Sequence, residues 1–213
     1  MVANTLEETL IGQAPAAPRG TMTNSHGLKL SFREWTLSIA EPKATVFLIH
    51  AAAEHSGRYE RMARDLNSRG YEVFALDHQG HGESEGERAH VLNFSDYVDD
   101  IERFIGHISK TRLDNRPNSS NAPRFLVGHS MGALIAVHTA LRPCFEDLRI
   151  HGIALMSPGL LPPSAAATKS LTRSIRSSVA PKSVLSYPNK TLSTPLTHDE
   201  ASDEAYRNDP LVY

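Results

Sequence analysis

The pentapeptide Gly128-His129-Ser130-Met131-Gly132 constrains this chain more than any other feature, because it joins two apolar runs of different length. Upstream, Arg124-Phe125-Leu126-Val127 reads as a short buried strand; downstream, Ala133 to Leu141 reads as a buried helix. A strand that turns at once into a helix leaves no room for bulky neighbours. Glycines at 128 and 132 therefore flank a serine whose backbone can be strained. The hydroxyl then stands at a helix N-terminus, where free N–H groups and the helix dipole favour a developing negative charge. This is the setting of a nucleophilic serine; the plainer alternative is a serine that only caps the helix.

Periodicity along the rest of the chain supplies the context. Residues 21–39 alternate around Ser25-His26-Gly27 and predict a β-hairpin. Thr45 to His50 is a continuous apolar strand. Tyr59 to Arg69 is an amphipathic helix with Met62, Ala63 and Leu66 on one face, ended by Gly70. Tyr71 to Asp77 is the next strand, and Asp77 to Glu87 a loop holding Gly80, Gly82 and Gly86. Phe94 to Thr111 carries Tyr97, Ile101, Phe104, Ile105 and Ile108 at helical spacing, and Asn115 to Pro123 is a polar linker. Gly152 to Ser157 is a further strand, stopped by Pro158. Apolar strands alternating with helices predict an α/β fold, a mostly parallel sheet with helices on both faces. His50, Asp77, Ser130 and Ser157 fall at strand carboxyl ends, on one rim where such sheets bind ligands.

The expected domains are a flexible leader over residues 1–20, a core over 21–158, and a lid or cap segment with the start of a return to the core over 159–213. Within the lid, Leu171, Ile175 and Val179 recur as one face of a short helix. Leu148 to His198 holds six Lys or Arg and no acid, whereas Asp199 to Tyr213 holds five acids and one Arg. The basic stretch is either a solvated polar segment or a surface for peripheral contact with an anionic membrane. A net charge of −2 gives no general attraction to nucleic acid. Cys144 is the only cysteine, more plausibly a small buried apolar residue than a reactive thiol, and it excludes an intrachain disulfide. No apolar run approaches a membrane span, and no secretory signal is legible, so a cytoplasmic location is expected.

With the elbow placed, two more motifs become readable: His50-Ala51-Ala52-Ala53-Glu54-His55-Ser56-Gly57-Arg58-Tyr59 and Asp77-His78-Gln79-Gly80-His81-Gly82-Glu83-Ser84-Glu85-Gly86. Together with Asn208-Asp209-Pro210-Leu211 they resemble the monoacylglycerol lipase and lysophospholipase branch of the α/β-hydrolases, from about residue 25 onward. The resemblance implies an α/β-hydrolase fold and a serine hydrolase that cleaves an ester of a single-chain lipid without a cofactor. It implies Ser130 as nucleophile and the backbone N–H groups of Ala52 and Met131 as oxyanion donors. The family usually has glycine on either side of the position of Ala52, where this chain has Ala51 and Ala53; any positive φ there would strain the loop. Glu54 and Arg58 are read as a charged layer beneath the site or as a surface ion pair. His129 either lines an acyl channel or only packs, and His50 and His81 are expected to hydrogen-bond within loops. No set of residues has metal-ligand spacing, so no metal is expected.

The expected triad order is Ser, then Asp or Glu, then His, the last two following further strands. After Ser157 no apolar β-run follows, and Glu146 and Asp147 directly follow the elbow helix. The triad acid and base are therefore expected to be absent from this chain, leaving a fold incomplete at its C-terminal side and a fragment with little activity alone. Alternatives are a lysophospholipase, another carboxylesterase, a serine aminopeptidase-like enzyme, or, from another class, a non-catalytic lipid- or partner-binding remnant.

Overall fold

The computed structural model describes residues 17–38, 41–114, 122–159 and 197–213. The strands are β1 (Arg19–Thr23), β2 (Lys29–Trp35), β3 (Ala44–Ile49), β4 (Tyr71–Leu76), β5 (Arg124–His129) and β6 (Ile150–Met156). They form one sheet in the order β1-β2-β4-β3-β5-β6. The β1–β2 hairpin is antiparallel and joins β4 antiparallel, while β4, β3, β5 and β6 are mutually parallel. The helices are α1 (Glu60–Ser68), α2 (Phe94–Ile108), α3 (Met131–Ala140) and α4 (Glu200–Arg207).

Alternation along the central strands divides the core into two layers. Phe47 and Ile49 of β3 and Phe74 and Leu76 of β4 pack with Ile101, Phe104 and Ile105 of α2 and Ile135 of α3. Val46, Leu48, Val73 and Ala75 point the other way and pack with Ala63, Met62 and Leu66 of α1. Helices thus cover both faces, as the apolar runs of β3 and β4 require, and every residue of β3 is buried.

Several boundaries differ from the sequence reading for local reasons. Strand β1 begins inside the expected 1–20 leader: Ala17 packs against the core and the Pro18 carbonyl accepts the Glu34 N–H at 3.0 Å. Tyr59 ends a 3₁₀ turn (Ser56–Tyr59) rather than starting α1. Helix α2 stops at Ile108, not Thr111, and a π turn spans Ser109–Leu113. There the Ser109 and Thr111 hydroxyls bond back to the Ile105 and His107 carbonyls, at 2.7 Å each, which loosens a helix end. Helix α3 begins two residues earlier than expected, at Met131. Cys144 is half-buried rather than buried. The lid row Leu171, Ile175 and Val179, most of the basic stretch and most of the 115–123 linker lie outside the described residues.

Among the described residues, strand β6 is one edge of the sheet, with Ile153 and Leu155 among the exposed large apolar residues. The strand carries neither Lys nor Pro, the usual protections of an edge. Replacing Ile153 and Leu155 together by lysine is expected to lower self-association of the 213-residue chain several-fold in light scattering. Unchanged scattering would locate the association elsewhere.

Candidate active site

The parallel strands β3, β4, β5 and β6 end on one rim at Ile49, Leu76, His129 and Met156, so His50, Asp77, Ser130 and Ser157 follow strand ends on the same side. Ser130 has φ 50° and ψ −111°, a backbone conformation that a side chain rarely adopts. It is held from both ends: its N–H donates to the Met156 carbonyl at 3.0 Å, and its carbonyl accepts the Ala133 and Leu134 N–H groups at 3.1 and 3.2 Å.

Each flanking glycine is required by close approach. A Cβ on Gly128 would lie 2.4 Å from the Gly132 carbonyl oxygen, and one on Gly132 would lie 2.1 and 2.6 Å from the Ile49 and His50 carbonyl oxygens. The second contact also seats the start of α3 against the end of β3, where the Ala51–Gly57 loop departs. Among the described residues, neither the Ala52 nor the Met131 N–H has an acceptor, and no side chain hydrogen-bonds the Ser130 hydroxyl. Ala53 has φ 60°, whereas Ala51 does not enter the positive range. The strain anticipated for alanine beside Ala52 therefore falls on one side only.

Glu54 anchors this loop, and not through Arg58. It is buried; its carboxylate accepts the Ala51 N–H at 2.7 Å and the Tyr59 hydroxyl, and it lies 3.5 Å from His129 Nδ1. Because the Tyr59 proton goes to Glu54, its oxygen accepts from His129 Nδ1–H at 3.0 Å. Burial alone would raise the Glu54 carboxyl; His129, Tyr59, the nearby His50 and the Ala51 N–H outweigh it and bring the carboxyl down to about 2. The bond toward Glu54 raises the His129 pKa against the opposing effect of burial. Of the two readings of Glu54 and Arg58, the surface ion pair is thus corrected: the buried carboxylate is satisfied locally, and Arg58 lies 3.7 Å from Asp209.

His50 and His81 hydrogen-bond within the loops that carry them. His50 Nε2 accepts the His78 N–H at 3.0 Å, so Nδ1–H donates to the Ala51 carbonyl at 2.7 Å. His81 Nδ1 lies 3.1 Å from the Gln79 carbonyl, and burial lowers its pKa to about 3. The sequence reading set Asp77 on the rim and placed Tyr59 and Asp209 within motifs, but it gave none of the three a contact at the site. Asp77 is buried and accepts the Ser56 and Glu83 N–H groups at 2.7 and 2.9 Å, tying the loop after β3 to the glycine loop after β4. Its signal was an aspartate at a strand end followed by close-set glycines. No cluster of three or more metal-ligating side chains occurs among the described residues.

Comparison with known proteins adds the lineage. The model of the serine aminopeptidase, S33 family matches residues 40–213. The chain belongs to that family. Within it, the chain is similar to the monoglyceride lipase of Mus musculus, 37% identical over 194 residues, which are 90% of this chain and 59% of that protein. Of solved structures, it resembles the monoacylglycerol lipase of Paleococcus ferrophilus, with TM-score 0.60 and 26% identity over 86% of this chain and 64% of that one. It also shares the fold of a soluble variant of Saccharomyces cerevisiae monoglyceride lipase in complex with a substrate analog, with TM-score 0.70 and 21% identity over 94% of this chain and 64% of that one. The resemblance of the motifs to monoacylglycerol lipases is thus matched by similarity along most of the chain. The chain spans a little under two thirds of the length of these relatives.

Proposed function

We propose that this chain carries the nucleophile and oxyanion half of a serine hydrolase that cleaves the ester of a monoacylglycerol. The observation that carries the reading is Ser130, held at positive φ between the end of β5 and the N-terminus of α3. In this reading the Ser130 oxygen attacks the ester carbonyl carbon, and the carbonyl oxygen becomes an alkoxide held by the Ala52 and Met131 N–H groups. Each such donor in a dry site is worth ~3–4 kcal/mol of transition-state stabilisation in other hydrolases. Collapse expels the glycerol oxygen and leaves an acyl-serine, which water then cleaves.

The proton of Ser130 needs a base. The ring nitrogens of His50 and His55 are engaged by loop atoms and Asp209, and His129 Nδ1 is turned toward Tyr59. We assign the triad acid and base to positions that this chain does not contain, and 159–213 to a lid or cap segment and the start of a return to the core. The similarity to monoglyceride lipases supports an ester of a single-chain lipid over the peptide substrate that the family's name suggests. A cytoplasmic location and peripheral membrane contact through the basic stretch belong to the same proposal; no helix among the described residues is long and apolar enough to cross a membrane.

The test is active-site labelling. In a protein that contains this sequence and hydrolyses monoacylglycerol, a fluorophosphonate probe is expected to label Ser130. Ser130→Ala should remove both label and turnover, by on the order of 10⁴-fold or more. A labelled alanine variant would overturn the assignment.

A further inference from the structure

The loop that carries Ala52 is braced by residues distant in sequence, at the C-terminal end of the chain. His55 is buried, and its Nδ1 accepts the Gly57 N–H at 3.1 Å, so Nε2–H donates to Asp209 Oδ2 at 2.9 Å. Arg58 lies 3.7 Å from the same carboxylate oxygen, and its guanidinium sits 4.7 Å from the ring centroid of Tyr206, near the end of α4. The Tyr213 N–H donates to the Ala53 carbonyl at 3.4 Å, and the Tyr213 hydroxyl donates to the Gly80 carbonyl at 2.5 Å. Residues 206–213 thus grip the loop at Ala53, His55 and Arg58 and fasten it to the glycine loop after β4.

The grip coincides with the strain. Ala53, at φ 60°, carries a Cβ where a glycine would be at ease, and a strained residue persists only when its surroundings over-determine it. From this juxtaposition we propose that Asp209 is a positioning residue, which acts through the His55 imidazole to hold the 51–57 loop in the conformation that aims the Ala52 N–H at the oxyanion. Asp209 touches no reacting atom. Its carboxylate accepts a hydrogen bond from the Nε2–H of His55, and so fixes both the tautomer and the orientation of the ring that caps the Ser56–Tyr59 turn. Tyr213 completes the brace at the strained residue itself. The inference rests on the oxyanion role proposed for Ala52, but its test needs no turnover.

Hydrogen exchange of the 213-residue chain, followed by mass spectrometry, compares the native protein with Asp209→Ala, Ala53→Gly and the double variant. Loss of a charge-assisted hydrogen bond of this kind should speed exchange of the 51–58 amides about ten-fold or more. The amides of β3 and β4 should keep their protection. Asp209→Glu should recover part of the loop protection. Ala53→Gly, which removes the strain, should shrink the effect of Asp209→Ala several-fold. Nitrogen-15 shifts of the His55 ring should show Nε2 protonated in the native chain and a mixture of tautomers in Asp209→Ala. If that variant does not fold, Asp209→Asn, which keeps an acceptor without the charge, replaces it. Three results would each overturn the proposal: loop exchange at the native rate, a uniform rise across the whole sheet, or an effect of Asp209→Ala that is the same with and without Ala53→Gly. Failure of fluorophosphonate labelling would instead overturn the hydrolase reading and leave the brace standing.

Discussion

Gly132→Ala is expected to destabilise the chain by ~3 kcal/mol or more, the upper range for forcing atoms into a packed interior. The added Cβ would lie 2.1 Å from the Ile49 carbonyl oxygen and 2.6 Å from that of His50. Both are backbone atoms at the end of β3, the fully buried strand between β4 and β5, so neither can swing aside as a side chain would. A domain of ordinary stability holds ~5–15 kcal/mol in all, and a loss of this size leaves a large unfolded or aggregated fraction. Gly128→Ala should behave alike, because its Cβ would meet the Gly132 carbonyl at 2.4 Å. Gly106→Ala is the control: nothing lies within 4 Å of a Cβ there, inside α2, and the change should stabilise by up to ~1 kcal/mol. Urea denaturation midpoints decide the matter. A Gly132→Ala midpoint near that of the native chain would mean that the turn is wider than these distances say.

The part of this architecture legible in the sequence is the part written in local pattern. Strands β3, β4 and β5 are short, mostly apolar runs, α1 and α2 carry one apolar face each, and the two glycines around Ser130 announce a turn with no space. The resemblance supplied the loop after β3, and alanine in place of glycine there already implied strain, which the backbone locates at Ala53 and not at Ala51. What stayed hidden depends on which distant groups a buried charge chooses. Glu54 and Arg58 stand four residues apart with opposite signs, the spacing of a surface pair. Burial of Glu54 instead selects Tyr59, His129 and a backbone N–H, which satisfy it at shorter range. Arg58 is left to Asp209 and Tyr206, contacts that no periodicity encodes. The end of α2 was missed for a local reason, because serine and threonine hydroxyls that bond back to the helix compete with its own ladder.

Glu54→Gln should be the most informative change at the site that leaves its shape intact. The carboxyl has an ordinary value of 4.5 and is held at about 2 in the folded chain. A depressed folded value means stability that is present above the unfolded pKa and is lost as pH falls toward the folded one. A shift of this size corresponds to roughly 3 kcal/mol, lost between about pH 4.5 and 2. His129 works in the opposite sense: its raised value contributes stability below about 6.5, which fades as pH rises past its folded pKa. The ion pair is therefore complete near pH 5–6, and there the glutamine variant should lose ~2–3 kcal/mol, since an amide cannot replace the charge-assisted bonds that the buried carboxylate accepts from Tyr59 and the Ala51 N–H. Two further signs separate this loss from simple loosening. The acid limb of the stability curve should flatten in the variant, because the group that titrates between 4.5 and about 2 is gone. The His129 pKa, followed by NMR, should fall back toward or below its ordinary value, because burial then acts alone. A variant whose stability-against-pH curve runs parallel to the native one would show that Glu54 is not the charge that ties the loop after β3 to the residue beside Ser130.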